Sequence, residues 1–291
     1  MNNWKQILAP VLSSAVMTDL KEYIKTERNL YSVYPEGKNV FRAFDLCPFD
    51  NTKVVIIGTE PYNTPGTADG LAYSTQQAEI PPALLVIFRE IYRDLNIQYL
   101  KNVTFEEFFP SSNLEKWAKE GFLLLYATLT VSEKGQGSHK DKGWEKVITA
   151  AIEALNKKKD QVIFLLWGDD AKKYEKMIDN NFRHLVFTAA DPALDPTNEN
   201  HPFYGSRHFS IVRDILPSQN LRNIMPTARL DSCFDKVKAK QIVRENYPFE
   251  ADKMCKYIDD NIIINVPINK DIYWAEVRRF ESIISTKTEI Q

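Results

Sequence analysis

Four short apolar runs, each followed by a polar or glycine-bearing loop, constrain the fold of this chain more than any other feature. They are Lys53-Val54-Val55-Ile56-Ile57-Gly58, Gly121-Phe122-Leu123-Leu124-Leu125-Tyr126-Ala127, Val162-Ile163-Phe164-Leu165-Leu166-Trp167-Gly168 and His184-Leu185-Val186-Phe187-Thr188. Runs this short, without apolar/polar alternation, read as strands buried on both faces, the pattern of a parallel sheet. Helical spacing fills the intervals: Ala83 to Leu95, entered through Pro81-Pro82, then Trp144 to Lys157, then Ala171 to Asn180. A further helix is predicted over Pro10 to Glu27, with Val11, Leu12, Ala15, Val16, Leu20 and Ile24 on one face. Strands alternating with helices predict an α/β sandwich around a mostly parallel sheet. In such sheets ligands bind beyond the carboxyl ends of the strands. Those ends carry Thr59-Glu60, Tyr126, Gly168-Asp169 and Ala190-Asp191.

Composition limits the function classes. With 291 residues, 44% of them hydrophobic and 26% charged, the chain can bury an adequate core without disulfides. Its three cysteines, Cys47, Cys233 and Cys255, fit no CxxC or zinc spacing and are too few for a four-thiolate cluster. An intracellular, metal-free protein, taken as a cytoplasmic monomer, is the expectation. No apolar run approaches the ~20 residues that span a bilayer, and the N-terminus lacks a signal-peptide pattern. A net charge of −2 makes any nucleic-acid contact local. Lys157-Lys158-Lys159 reads as the solvated end of a helix, where cations suit the dipole. After Ser210 the pattern changes. Leu216 to Thr227 is irregular, helical segments are predicted over Asp231 to Asn246 and Lys270 to Ser285, and Ile262-Ile263-Ile264 reads as a short strand. The chain is therefore divided into a main domain, 1–215, and a mainly helical C-terminal extension, 216–291, which either covers the main domain or docks a protein partner.

The stretch Val54 to Asn63, continuing to Gly70-Leu71-Ala72-Tyr73-Ser74, resembles the catalytic segment of family-1 uracil-DNA glycosylases. There the strand ends Gly-Gln-Asp-Pro-Tyr-His and continues Gly-Leu-Ala-Phe-Ser. Further segments match in the same order: Ile80-Pro81-Pro82-Ala83-Leu84, Leu123 to Val131, Ser138-His139 with Gly143-Trp144-Glu145, Phe164 to Gly168, and Gly205 to Ser210. The similarity ends near Ile215. It implies a sandwich of three α/β/α layers and a cofactor-free enzyme that extrudes a nucleotide from DNA into a pocket and hydrolyses its N-glycosidic bond. A carboxylate beneath the sugar would stabilise the developing cation and orient water. Donors around the base would stabilise the departing anion, and an aromatic ring would stack on it.

The resemblance assigns roles residue by residue, and the departures are as informative as the matches. Glu60 falls on the water-activating aspartate, with one methylene added; Thr59 and Asn63 replace the neighbouring glutamine and histidine. Tyr62 matches the tyrosine that stands against the C5 edge of the base, and Tyr73 replaces the stacking phenylalanine. Tyr126 stands where an asparagine amide reads uracil. An asparagine offers a donor and an acceptor, a tyrosine one hydroxyl and more bulk. If Tyr126 points inward it cannot read uracil in the family's way; if outward, the reader is gone. Asp191 replaces the histidine that donates to the base O2, and is protonated, engaged elsewhere or outside the site. Leu194 matches the wedge that fills the gap left by a flipped base. Pro81, Pro82, Ser138, His139, Arg207 and His208 lie in segments that approach the DNA strand or its phosphates.

These substitutions predict a DNA glycosylase acting on a modified pyrimidine, such as hydroxymethylated or glucosylated cytosine of phage DNA, in an antiphage role. Tyr62 argues against a bulky C5 group. The alternatives are uracil excision in base-excision repair and a non-catalytic DNA-binding protein built on the same fold.

Overall fold

A computed structural model describes residues 3–95, 105–158, 160–178, 183–216 and 244. The elements, in order, are α1 (Trp4–Leu12), α2 (Ala15–Leu30), β1 (Val33–Tyr34), α3 (Arg42–Leu46), β2 (Val54–Gly58), α4 (Pro82–Asp94), α5 (Phe105–Phe108), α6 (Glu115–Lys119), β3 (Phe122–Tyr126), β4 (Val131–Ser132), α7 (Trp144–Leu155), β5 (Ile163–Trp167), α8 (Asp169–Lys172), β6 (Leu185–Ala189) and α9 (His208–Ile215). The four predicted strands form one parallel sheet in the order β3-β2-β5-β6. Every residue of β2, β3 and β5 is buried, which is why their sequences carry no alternation. Edge strand β6 is half-exposed.

The strand order locates the site before any side chain is considered. From β2 the chain moves outward to β3; from β5 it moves the opposite way to β6. The loops leaving β2 and β5 therefore diverge, and a crevice opens between their carboxyl ends, the position where open α/β sheets bind ligands.

Helix α7 buries Trp144, Val147, Ile148, Ala151, Ile152 and Leu155, one face at helical spacing, and packs against α1. Gly143 before it has φ +125°, and a Cβ there would meet the Val16 side chain at 2.9 Å. From α1, Trp4 packs edge-on against Phe44 and Phe49 and donates to the Cys47 carbonyl at 2.8 Å.

Two helix expectations are corrected. Pro10 to Glu27 is two helices, not one. Pro10 lies inside α1 and cannot donate to the preceding turn, and Ser14 is extended with ψ 159°. Ala171 to Asn180 is replaced by the single turn α8 and a 3-10 turn at Glu175–Met177. The two-residue antiparallel pair β1/β4 was not anticipated, because two residues carry no period to read. The expectations over 216–291 lie outside the described residues, apart from positions 216 and 244.

Two compact units are distinguished by their contacts. The first comprises Met1–Glu90 with Ser111–His208 and holds the whole sheet; the second comprises Ile91–Pro110 with Phe209–Gln291. In the second, Phe105 meets Tyr92 at 5.5 Å and Phe109 at 5.0 Å, and the Ser210 N–H donates to Asp94 at 2.7 Å.

Candidate active site

Gly58 ends β2, and a Cβ there would lie 2.4 Å from the Tyr73 hydroxyl. Only glycine allows the Tyr73 ring to lie across the strand end. Gly168, directly after β5, has φ +90°; a Cβ there would meet the Thr59 hydroxyl at 2.8 Å and Asp191 at 3.0 Å. Two strand-terminal glycines thus clear the crevice for Thr59, Tyr73 and Asp191.

Asp191 remains in the site. Its carboxylate accepts from the Thr59 hydroxyl in a short hydrogen bond, from the Tyr73 hydroxyl at 3.3 Å and from the Ala193 N–H at 2.9 Å. Of the alternatives left open by the sequence, engagement with other groups of the protein is the one observed.

Tyr126 points inward. Its hydroxyl accepts the Tyr73 N–H at 2.7 Å, and its ring meets the Tyr73 ring edge-on at 5.3 Å. Tyr73 also tilts against Trp167 at 5.5 Å. Both tyrosines are buried, at 6% and 3% exposure, so the ring expected to stack on a base is already covered by protein. Burial pushes both phenols well above their ordinary pKa, so they act as neutral hydroxyls. Tyr73 adopts φ 64°, a left-handed conformation uncommon for a bulky residue, which commonly marks a functional site. Tyr62 donates to the Tyr73 carbonyl at 3.0 Å, so both polar groups of Tyr73's backbone are held by tyrosine hydroxyls. The small pocket beside Tyr62 and Tyr126, lined also by Pro61, Leu71, Leu124 and Leu129, has room for about one water molecule.

Glu60 follows β2 and is half-buried. Both of its oxygens accept the Gly137 N–H, at 2.9 and 2.8 Å. Burial raises its carboxyl above the ordinary value; the Gly137 N–H opposes this, Asp170 and Asp191 reinforce it by charge repulsion, and Lys140 opposes it. Asn63, three residues on, is half-buried and joins neither Glu60 nor Asp191 through a hydrogen bond among the described residues.

The expected DNA-contacting residues divide. Leu194 is 61% exposed, Arg207 is exposed and Pro82, the first residue of α4, lies on the surface. Pro81 is buried and supports the turn instead. Ser138 faces inward to accept the Ser132 N–H at 2.8 Å. His139 is corrected to a core residue: it is wholly buried, with Nδ1 on Thr130 at 2.8 Å and its ring edge-on to Tyr23. His208 is corrected likewise. It accepts the Trp167 indole N–H at 2.9 Å, and burial lowers its pKa to about 4, so it stays neutral. Sequence reasoning missed Glu90, which is buried and holds the turn before His208, accepting from Gly205 N–H at 2.8 Å and Arg207 N–H at 3.0 Å. A lone glutamate on the apolar face of α4 was the available signal. Among the described residues no group of three His, Cys, Asp or Glu side chains is placed to hold a metal.

A carboxylate and a cluster of aromatic rings at the switch point of a parallel sheet make up the class of site that the resemblance implies. The comparisons give that class its family. The model of the uracil DNA glycosylase superfamily matches residues 44–244. The uracil-DNA glycosylase of Bacteroides thetaiotaomicron is 39% identical over 224 residues, 77% of this chain and 96% of that protein. That of Phocaeicola vulgatus is 41% identical over 216 residues, 74% of this chain and 92% of that protein. Among solved structures, mimivirus uracil-DNA glycosylase matches the fold with a TM-score of 0.56 at 22% identity, covering 66% of this chain and 68% of that one. The chain belongs to the uracil DNA glycosylase superfamily. It is a DNA glycosylase, an enzyme that hydrolyses N-glycosidic bonds.

Proposed function

We propose that the chain excises uracil from DNA, leaving an abasic site for base-excision repair, as a cytoplasmic monomer without a cofactor. The observation that carries this reading is Tyr62. Its hydroxyl is fixed on the Tyr73 carbonyl at 3.0 Å, so the ring expected against the C5 edge of a base is held in place. A fixed C5 wall suits uracil and opposes pyrimidines enlarged at C5. The close relatives named for uracil point the same way. The modified-cytosine reading needs a larger pocket, whereas Tyr126 makes this one smaller. No observation supports an antiphage role.

In the reaction, water adds to C1′ as the base leaves as an anion. In this reading Glu60 is the carboxylate that orients that water and offsets positive charge on the sugar. Because Tyr126 replaces an amide reader, turnover is expected to be slow beside that of relatives with the unaltered pocket. The test is incubation with single- and double-stranded oligonucleotides carrying uracil, thymine or 5-hydroxymethylcytosine, followed by scoring of alkali-labile sites. Release of uracil alone is expected. Preferential release of 5-hydroxymethylcytosine would restore the modified-base reading, and DNA binding with no base release would leave the fold as a clamp.

A further inference from the structure

We infer that Tyr126 is a built-in occupant of the base pocket, a gate that an incoming base must displace, and not a reader of that base. The inference rests on the uracil reading above and concerns the regulation of the same site.

Three observations converge on it. First, the Tyr73 N–H is a donor on the residue expected to stack on the base, and the Tyr126 hydroxyl holds it at 2.7 Å. A backbone N–H in a closed pocket is the partner that a pyrimidine carbonyl oxygen would seek, because a buried unpaired donor costs free energy. The tyrosine oxygen therefore stands in for a base carbonyl. Second, the Tyr126 ring packs edge-on against Tyr73 at 5.3 Å, an aromatic contact of the kind a stacked base would supply. Third, the free space against Tyr126 among the described residues is a small pocket shared with Tyr62, Leu71, Leu124 and Leu129, with room for about one water. A base enters only if the Tyr126 ring leaves, and both of its contacts with Tyr73 must be exchanged.

This exchange has a direction that a reader would not show. Removing a reader weakens selective binding, whereas removing an occupant strengthens it. Tyr126→Asn takes away the ring and supplies an amide donor and acceptor. Tyr126→Phe keeps the ring and frees the Tyr73 N–H.

The experiment compares the full-length wild type with both variants, using a single-stranded oligonucleotide carrying one 2′-fluoro-2′-deoxyuridine, which resists cleavage, against the same strand with cytidine there. Wild type is expected to prefer the uracil strand by less than threefold. Tyr126→Asn should prefer it by at least tenfold, and Tyr126→Phe by an intermediate factor. Far-UV circular dichroism confirms that each variant folds. If Tyr126→Asn does not fold, a rise in preference for Tyr126→Phe carries the inference alone. Unchanged or reduced preference in the folded variants overturns the gate, and reduction identifies Tyr126 as a reader. Base release is measured in parallel with ordinary deoxyuridine. A variant that gains uracil preference but releases no base upholds the gate and refutes the uracil-excision reading. A wild type that releases uracil rapidly, with variants no more selective, does the reverse.

Discussion

At the scale of single residues, Glu60 carries the sharpest expectation. Glu60→Gln keeps size and hydrogen-bonding shape but loses the charge. Base release should fall by about 10²–10⁴-fold while DNA binding persists, and near-normal turnover would remove Glu60 from the mechanism. Because burial raises this carboxyl above its ordinary value, its ionised form predominates only at a higher pH than for an exposed glutamate. Activity should therefore rise with pH along an acid limb displaced upward from that value. A pH–rate profile of kcat/KM checks this, and the residual activity of Glu60→Gln should lack that limb. His139 gives the opposite kind of expectation. In sequence it lies in a segment that suggests a phosphate contact; in the structure it is wholly buried against Thr130 and Tyr23. His139→Ala should cost about 1–3 kcal/mol of stability, the penalty for disrupting a buried hydrogen bond. The salt dependence of DNA binding should not change, and a shallower slope would reinstate the phosphate contact. The residue identities at 60, 126 and 191 were legible because they break a recognisable pattern. Where their side chains point was not, since Asp191 is held by Thr59, more than a hundred residues away in sequence, and no local pattern encodes that pairing.

At the scale of elements, the strands were legible because burial on both faces forces a continuous apolar run. Each predicted strand agrees with the observed one to within two residues at either end. Helix breaks were less legible. A single extended residue, Ser14, divides the first helix, and the apolar spacing continues across the break as though nothing intervened. The strand-terminal glycines connect the elements to the site, and Gly58 provides the test. Gly58→Ala would put a Cβ 2.4 Å from the Tyr73 hydroxyl. That hydroxyl is tethered to Asp191 and its ring is wedged between Tyr126 and Trp167, so it has little freedom to yield. Overpacking of this kind costs about 1–3 kcal/mol. Chemical denaturation should show that loss together with reduced base release. A variant with normal stability would mean that the Tyr73 ring moves freely, and the closed pocket would need another explanation.

At the scale of the whole molecule, the C-terminal extension carries its own expectations. The sequence boundary at Ile215 was drawn where recognisable motifs stop, yet the family model continues to residue 244. The segment between them belongs to the matched region but carries no short motif of its own. Beyond it, Ile272, Trp274, Val277, Phe280, Ile283 and Ile284 recur at helical spacing. An apolar stripe of that size, left in water, would promote association, so its removal should be felt in solubility and stability. Two truncations separate these contributions. A chain ending at residue 244 retains everything the family model matches and should lose only the apolar stripe. A chain ending at Ile215 also loses part of the matched region and should melt lower still, at about 2–4 °C for each kcal/mol lost. Neither should change which base is released, because Glu60, Tyr62, Tyr73, Tyr126 and Asp191 all lie in the first compact unit. Thermal melts of the three chains, with the base panel repeated on each, decide the matter. A 215-residue chain as stable as the full chain but releasing a different base would show that the extension helps to form the base pocket.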